Sequence, residues 1–387
     1  MTLARNLLQR LSGNKHFILS VFICLWSITL VHAADKHLKI ALLLPLNFQS
    51  IDEASLIDQK SFEFSNLGID YYRGFKMAVD SLSKEGYTFD IKLFDTQSDT
   101  NQIKNFAIDP YLLTSDLIFG PVMPNEIEVL LKKNPLLKGK IISPISPLLV
   151  TKSKPSDLIM ANNTLENHAL NMARYFSSKK LSTSILIVRN GLLAETRYSK
   201  TFEKYLDSAD KQIVKKELLT VQKGYAQIEG NLSKTKENYL LIPSSDQAYA
   251  INLFKYLESL NNQYPITLLV HPKWLDFQTI DPDLFVKYKV CLSTSYFANY
   301  ENLALKNFVA QYRSTYATEP TEMSIRSIDQ TLFFIKNVDI KKKSINKMDA
   351  PYYGLATVLN YNSKSTPNYN NQVFILKYDE NGLSIQP

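Results

Sequence analysis

Six polar side chains directly follow apolar runs of the chain, where they are placed to contact a ligand. They are Ser143, Ser146, Asn190, Ser244, Ser245 and Asp246. In a parallel sheet wound with helices, ligands bind beyond the carboxyl ends of the strands. Hydroxyl groups and backbone amides at such ends bind polar or anionic groups. The same residues also satisfy turn backbone or cap the next helix, and the sequence leaves both interpretations open.

Two aromatic residues follow later apolar runs and extend this candidate ligand site. Trp274 comes after Ile266–Val270, and Tyr296 comes after Lys289–Leu292. Aromatic rings stack on ligands or enclose them, and they also contribute large apolar surfaces to protein cores. We therefore include both residues in the predicted ligand-binding set, with a position in the core as the alternative.

The sequence carries no motif for catalysis or metal binding. It has no Gly-x-Ser-x-Gly elbow, no phosphate loop and no His-Glu-x-x-His pair. After the N-terminal leader, three histidines lie far apart in the chain, and Cys291 has no neighbouring histidine. Asp95 and Asp99, on either side of Ser98, are predicted to cap the following helix, with a carboxylate pair that acts on a substrate as the alternative. We predict no enzyme activity, no cofactor and no metal.

Apolar periodicity divides the first half of the chain into alternating strands and helices. Continuous apolar residues in the first strand indicate cover on both faces, whereas alternation in the second indicates a strand near the sheet edge. A long polar loop is predicted from Asn47 to Asn66. The predicted strands are Leu38–Leu44, Thr88–Phe94, Asp116–Phe119 and Lys140–Ile142, and the predicted helices are Ile69–Lys84, Thr100–Ala107 and one beginning at Pro124.

The same alternation recurs after residues 150–157, which we interpret as a crossover into a second lobe. The sequence therefore predicts an α/β protein with two lobes, parallel sheets flanked by helices, and a hinged cleft between them. Residues 36–152 with about 297–338 are assigned to the N-terminal lobe, and residues 153–296 with about 339–387 to the C-terminal lobe.

Residues 1–33 have the pattern of a secretory signal peptide, with an uncleaved membrane anchor as the alternative. A basic leader precedes an apolar run from Phe17 to Val31, and Val31-His32-Ala33 precedes charged residues. Its removal leaves Cys291 as the only cysteine, so no intramolecular disulfide is expected, and its apolar neighbours predict a buried side chain. A large exported protein without disulfides suits the bacterial periplasm, which we predict as its location.

The net charge of +7 comes partly from the leader and partly from scattered lysines. These lysines indicate either a solvated surface or attraction to anionic envelope polymers or an anionic ligand. Basic and aromatic residues are not interleaved as in nucleic-acid-binding modules, so we predict no nucleic-acid partner.

Several motifs resemble the type 1 periplasmic binding proteins of the leucine/isoleucine/valine-binding class. The resemblance implies two Rossmann-like lobes, three hinge crossings and closure on a ligand. The contacts that it implies lie in the loop after Pro45, in the turn after Gly120, and at the polar residues and Trp274 named above. The motifs are Lys39 to Pro45, Tyr72-x-Gly74-Phe75-x-Met77-Ala78, Asp95-x-x-x-Asp99, Ile118-Phe119-Gly120-Pro121, Ile142-Ser143-Pro144, Phe308-x-x-x-Tyr312, Pro320 and Ser327-Ile328-Asp329.

Two departures from this family pattern concern the ligand. Amino-acid binders of the class usually carry a serine shortly after the Gly-Pro turn, but Val122-Met123-Pro124-Asn125 follows Gly120-Pro121. Asn190-Gly191-Leu192 stands where the second lobe usually has Tyr-Gly. A Gly-Pro turn without serine resembles relatives that activate penicillin-binding proteins.

Two hypotheses about function follow. The first is a non-catalytic periplasmic solute-binding protein that captures a small polar ligand, such as an amino acid, a peptide or a cell-wall fragment, for uptake or sensing with a membrane transporter. The second is a cell-envelope interaction module that contacts a peptidoglycan synthase and has a reduced or absent ligand site.

Overall fold

The computed structural model describes residues 36–48, 59–134, 137, 139–145, 158–182, 184–209, 212–342, 344–345, 350–361 and 368–386. The predicted signal peptide, Ser146 and the predicted crossover at 150–157 lie outside these residues. Among the helices within these ranges, none combines the length and apolar character needed to cross a bilayer.

The first sheet contains six parallel strands. They are β1 (Lys36–Leu44), β2 (Tyr87–Asp95), β3 (Leu117–Phe119), β4 (Lys140–Ser143), β5 (Leu158–Met160) and β15 (Asn368–Tyr369), in the order β15-β5-β4-β3-β1-β2. The central strand β1 is apolar and buried, whereas β2 lies at the edge and alternates, as its sequence predicts.

Helices cover both faces of this sheet. On one face, Phe75 of α1 (Gln59–Lys84) packs edge-on against Phe119, with ring centroids 5.5 Å apart. Gly74 lets α1 approach α11 (Glu322–Lys336) closely, because a Cβ there would overlap the carbonyl oxygen of Ser324. The helices of this first lobe are α1 (Gln59–Lys84), α2 (Thr100–Phe106), α3 (Pro110–Leu113), α4 (Pro124–Lys133), α10 (Leu303–Tyr316) and α11 (Glu322–Lys336).

The second sheet has seven strands. The first five in chain order are parallel to one another, and each of the last two pairs antiparallel with its neighbour. They are β6 (Ser184–Arg189), β7 (Val214–Leu219), β8 (Asn238–Ile242), β9 (Ile266–Val270), β10 (Cys291–Thr294), β16 (Phe374–Asp379) and β17 (Gly382–Gln386), in the order β17-β16-β10-β9-β8-β6-β7. Cys291 is buried in this sheet, as predicted.

Five helices and two 3-10 turns accompany the second sheet and form the second lobe with it. They are α5 (Leu165–Ser178), α6 (Leu193–Ala209), α7 (Thr220–Lys223), α8 (Gln247–Ser259), α9 (Pro282–Lys287), and the turns Glu229–Asn231 and Pro272–Asp276. Two small antiparallel pairs lie outside the two main sheets. They are β11 (Val338–Asp339) with β12 (Ser344–Ile345), and β13 (Tyr352–Tyr353) with β14 (Val358–Leu359).

The chain passes between the two sheets after β5, after β10 and after β15. Two of these crossings are hydrogen-bonded to each other. The buried Asn163 side chain donates to the carbonyl oxygens of Asn370 and Gln372, at 2.8 and 2.9 Å. Asn370 in turn donates to the Val358 carbonyl oxygen at 2.8 Å. Buried amide groups thus fix the connection between the lobes.

The strand pairing corrects the predicted lobe boundaries. Residues 158–160 and 368–369, which we had assigned to the C-terminal lobe, are β5 and β15 of the first sheet. The short apolar run Leu158–Met160 pairs with β4. A strand of three residues is too short to show periodicity in the sequence.

The predicted loop from Asn47 to Asn66 is also shorter than expected, because α1 begins at Gln59. The first turns of α1 are largely exposed, and their polar residues resemble those of a loop in the sequence. Asn47 holds this part of the helix by donating to the Ser61 carbonyl oxygen and the Ser65 hydroxyl, at 3.2 and 2.8 Å.

Candidate functional site

A cleft of about 380 Å³ lies between elements of the two lobes. The first lobe contributes side chains of α11, and the second contributes α5 and the turn after β9. The crossing after β10 forms part of the wall. The lining residues are Asn162, Asn163, Leu165, His168, His271, Pro272, Lys273, Leu275, Asp276, Thr294, Ser295, Tyr296, Glu322 and Arg326.

Two histidines that are far apart in the sequence meet at this cleft. The ring nitrogens of His168 lie 3.0 Å from the Ser293 hydroxyl and 3.2 Å from the Ser295 hydroxyl. Burial lowers the pKa of His168 to about 3, with the His271 imidazole and the Arg326 cation nearby. Burial also lowers the pKa of His271 to about 4, helped by Lys273. Both imidazoles are therefore neutral at pH 7.

Arg326 supplies a positive charge at the opposite wall. Its side chain is only 10% exposed, and its Nε donates to Glu322 at 2.6 Å. The guanidinium lies over the Tyr296 ring, 5.2 Å from the centroid, which is a cation–π arrangement. The backbone of Tyr296 is fixed within the crossing after β10, because the Thr294 hydroxyl donates to the Tyr296 carbonyl oxygen at 2.9 Å.

We expect the free energy of unfolding to fall as the pH is lowered from about 6.5 towards 4. The folded pKa values of His168 and His271 lie below the ordinary value of 6.5, so the unfolded chain takes up protons first. Each histidine contributes up to about 1.4 kcal/mol per pH unit in this window. Urea unfolding at pH 7, 6 and 5 measures the slope.

The variant His168→Gln should have a shallower slope than the parent, because it lacks one of the two groups that the unfolded chain protonates first. The carboxylates are the same in both proteins, so the difference in slope isolates the buried histidine. Equal slopes in the parent and His168→Gln would contradict the assignment.

The amide groups beyond the strands of the first lobe are occupied by the protein's own carboxylates. Asp95, at the end of β2, accepts hydrogen bonds from the amides of Leu46, Asn47 and Phe48, at 2.8, 2.9 and 2.9 Å. These three amides follow β1. Asp95 therefore fixes the loop after β1 and does not cap α2 as predicted, whereas Asp99 caps α2 through the Asn101 amide at 2.8 Å.

Glu126 occupies the next position along this edge, at the start of α4. The backbone bends sharply before it: Gly120 has φ of +94°, and a Cβ there would overlap the Leu43 carbonyl oxygen. The Glu126 side chain is fully buried and accepts from the Met123 amide at 3.2 Å. Burial raises the pKa of Glu126. Its carboxyl group thus caps the helix that follows the Gly-Pro turn.

Glu195 does the same in the second lobe. Its buried carboxylate accepts from the amides of Asn190, Gly191 and Leu192 through one oxygen, at 2.8, 3.0 and 3.3 Å. These amides follow β6 and precede α6. A helix N-terminus of this kind binds anions, and here the anion is part of the chain. The two turns that depart from the amino-acid-binding pattern, at Gly120-Pro121 and Asn190-Gly191, are therefore each followed by a buried carboxyl group of the chain itself, Glu126 and Glu195.

Of the predicted hydroxyl and carboxylate residues, the structure describes Ser143, Ser244, Ser245 and Asp246, which lie at or just after strand ends but do not line the cleft. Ser143 is fully buried at the end of β4. Ser244 is buried, and its carbonyl oxygen accepts from the Trp274 indole at 2.8 Å. Asp246 caps α8 through the Ala248 amide at 2.8 Å, and Ser245 beside it is exposed. Asn190 belongs to the amide group held by Glu195.

Trp274 is a core residue, and its predicted contact with a ligand is corrected. It has no exposed surface and packs among Phe254, Phe277 and Phe285. A ring with no exposed surface has no face to offer a ligand. Tyr296 is the one predicted site residue among the described residues that line the cleft.

Thirteen of the fourteen lining residues were not in the predicted set, and the imidazole and cationic side chains among them are His168, His271, Lys273 and Arg326. Glu322 and Arg326 are spaced as an exposed helix ion pair, so the sequence gives no signal that Arg326 is buried. The histidines lie more than a hundred residues apart. Within the described ranges, no three His, Cys, Asp or Glu side chains are grouped as metal ligands would be.

No family model and no curated protein sequence matches this chain. Solved structures do resemble it. A protein described as a branched-chain amino acid ABC transporter from Rhodospirillum rubrum superimposes with a TM-score of 0.64 at 13% identity, covering 91% of this chain and all of that one. The LpoA C-domain from Haemophilus influenzae, a regulator of PBP1A, gives 0.56 at 12%, covering 90% and 99%.

The protein has the fold of the type I periplasmic binding proteins. A substrate-binding protein from Desulfitobacterium hafniense, in complex with Leu, shares this type I fold with a TM-score of 0.54 at 12% identity, covering 90% of this chain and all of that one. This chain spans 60% of full-length LpoA from Haemophilus influenzae. The type I fold places the cleft described above where its two lobes face each other.

Proposed function

We propose that the protein is a non-catalytic, exported binding protein of the bacterial envelope that captures a small polar ligand between its two lobes for uptake or sensing. The observation that supports this most is the open, polar cleft to which both lobes contribute side chains. A ligand there contacts Arg326 and Tyr296 from one side and His271 and Lys273 from the other. Binding therefore favours closure of the lobes.

The proposal includes the location and the partners. A periplasmic position agrees with the leader-like pattern of residues 1–33, and a membrane transporter would receive the ligand of an uptake system. The proposed lobes follow the strand pairing: residues 36–160 and about 303–369 form the first, and residues 165–294 and 374–386 the second.

A second candidate is an envelope interaction module that contacts a peptidoglycan synthase. It is favoured by the carboxylates of Glu126 and Glu195, which fill the amide sites that would otherwise hold a ligand's carboxylate. In this second candidate, the outer surface of the fold binds the partner protein and the cleft binds no ligand. The two candidates differ in whether a small molecule stabilises the protein.

A thermal-shift screen of the purified protein against amino acids, short peptides and cell-wall fragments tests the first proposal. A ligand at about one hundred times its dissociation constant adds about 2.7 kcal/mol to the free energy of unfolding. Tyr296→Ala removes a cleft side chain and should reduce the shift. Tyr300→Ala, at a 55% exposed position outside the cleft lining, is the matched control and should retain it.

A shift that is lost in Tyr296→Ala and kept in Tyr300→Ala would support capture in the cleft. No shift with any compound would contradict the first proposal and favour the interaction module.

A further inference from the structure

The guanidinium of Arg326 has hydrogen-bonding capacity that the protein does not use. An arginine side chain carries five N–H donors in a planar fork. Among the described residues, only Glu322 accepts from Arg326, and it uses the Nε side. The two terminal nitrogens, Nη1 and Nη2, have no protein acceptor there. They belong to a side chain that is 90% buried and lines the cleft.

Contact with Tyr296 holds the plane of this fork in place. The ring lies beneath the guanidinium, so the cation is covered on one face and paired at one edge. Its terminal nitrogens line the cleft, where oxygens of a ligand can accept their unused N–H groups. A fork that is fixed in advance loses little entropy when it binds a planar or tetrahedral group of oxygens.

The second lobe presents further donors to the same space. Lys273 is exposed and lines the cleft. His271 accepts the Lys273 amide hydrogen at Nδ1, over 3.1 Å, so its neutral ring carries the proton on Nε2. Two carboxylates also line the cleft: Glu322, which is paired with Arg326, and the exposed Asp276.

We propose that the cleft is an oxyanion site in which Arg326 of the first lobe and Lys273 of the second bind a carboxylate or phosphate of the ligand. This inference rests on the proposed function and names the chemical class of its ligand. Two cations on opposite lobes repel each other until an anion lies between them. The anion therefore favours the closed arrangement. Tyr296 positions the guanidinium and is not itself an anion ligand.

The test is calorimetric titration of the purified protein with succinate and, separately, with inorganic phosphate, each up to 10 mM at constant ionic strength. Succinamide is the neutral counterpart of succinate. The variant Arg326→Gln should weaken binding of the preferred anion at least tenfold, because a charged hydrogen-bonding group is lost. Arg326→Lys, which keeps the charge but not the fork, should weaken it less. Arg313→Gln, on the exposed face of α10, is the matched control and should bind as the parent does.

Urea unfolding of each variant without ligand identifies any variant that has lost its fold. If Arg326→Gln does not fold, the affinity of Arg326→Lys is compared with that of the parent instead. Binding of succinate alone assigns a carboxylate, and binding of phosphate alone assigns a phosphate. Failure of both anions to bind, or equal binding by the parent, Arg326→Gln and Arg326→Lys, would overturn the oxyanion site. A neutral compound that stabilises the parent and Arg326→Gln equally would overturn it while leaving capture in the cleft intact.

Discussion

Replacing Trp274 with alanine is expected to lower the free energy of unfolding by about 3–5 kcal/mol. The indole lies in the core of the second lobe with no exposed surface. Its removal leaves a cavity between three phenylalanine rings and deprives the buried Ser244 carbonyl oxygen of its donor. Urea unfolding monitored by circular dichroism measures the loss.

Leu275→Ala is the matched control for this prediction. Leu275 is the next residue of the same 3-10 turn and is 38% exposed, so its truncation should cost less than about 1 kcal/mol. Trp274→Phe should be intermediate, because it keeps an aromatic ring but not the hydrogen bond. A Trp274→Ala protein within 1 kcal/mol of the parent would show that the indole does not support the core.

The second large effect is expected for Asp329→Ala, which should lower the free energy of unfolding by about 3–5 kcal/mol. The fully buried carboxylate accepts from the amides of Leu355, Ala356 and Thr357, at 2.6, 3.0 and 3.0 Å, and from the Thr357 hydroxyl at 2.9 Å. Each buried amide left without an acceptor costs about 1–3 kcal/mol. Gly354 lets this loop reach the carboxylate, since a Cβ there would overlap it.

Asp339→Ala provides a control of the same chemistry in a more exposed place. Asp339 also accepts from two backbone amides, those of Lys341 and Lys342, both at 3.0 Å. Water replaces the carboxylate at that turn, so we expect a loss of about 1 kcal/mol. Similar losses for the Asp329 and Asp339 variants would mean that the loop at 354–357 finds other acceptors.

The sequence predicts the central strands well because burial on both faces leaves a continuous apolar run. β1, predicted as Leu38–Leu44, spans Lys36–Leu44, and β3, predicted as Asp116–Phe119, spans Leu117–Phe119. β7 and β17 form the two edges of the second sheet. The β7 residues Lys215, Lys216 and Glu217 are partly or fully exposed, so the sequence there has no continuous apolar run that indicates a strand.

The site was harder to predict, because tertiary contacts decide which polar residues face a ligand. Serines and acids at strand ends do lie at the sheet edges, but Ser244 and Asp246 serve the local backbone. Asp329 belongs to a family-like motif in the sequence, but its hydrogen bonds to the loop at 354–357 form only in the folded chain. Arg326 meets Tyr296 only through the packing of α11 beside the crossing after β10.

The distance between the lobes, measured with the most stabilising compound of the ligand screen, tests the central claim most directly. Nitroxide labels at Lys132 of α4 and Lys255 of α8, both exposed, report this distance by double electron–electron resonance in a Cys24→Ser, Cys291→Ala background. Capture in the cleft predicts a shorter and narrower distance distribution for the parent with ligand than without it. The Tyr296→Ala variant with the same compound should keep the distribution of the ligand-free parent. A compound that stabilises the protein while the distance stays unchanged would place its binding outside the cleft and contradict the account.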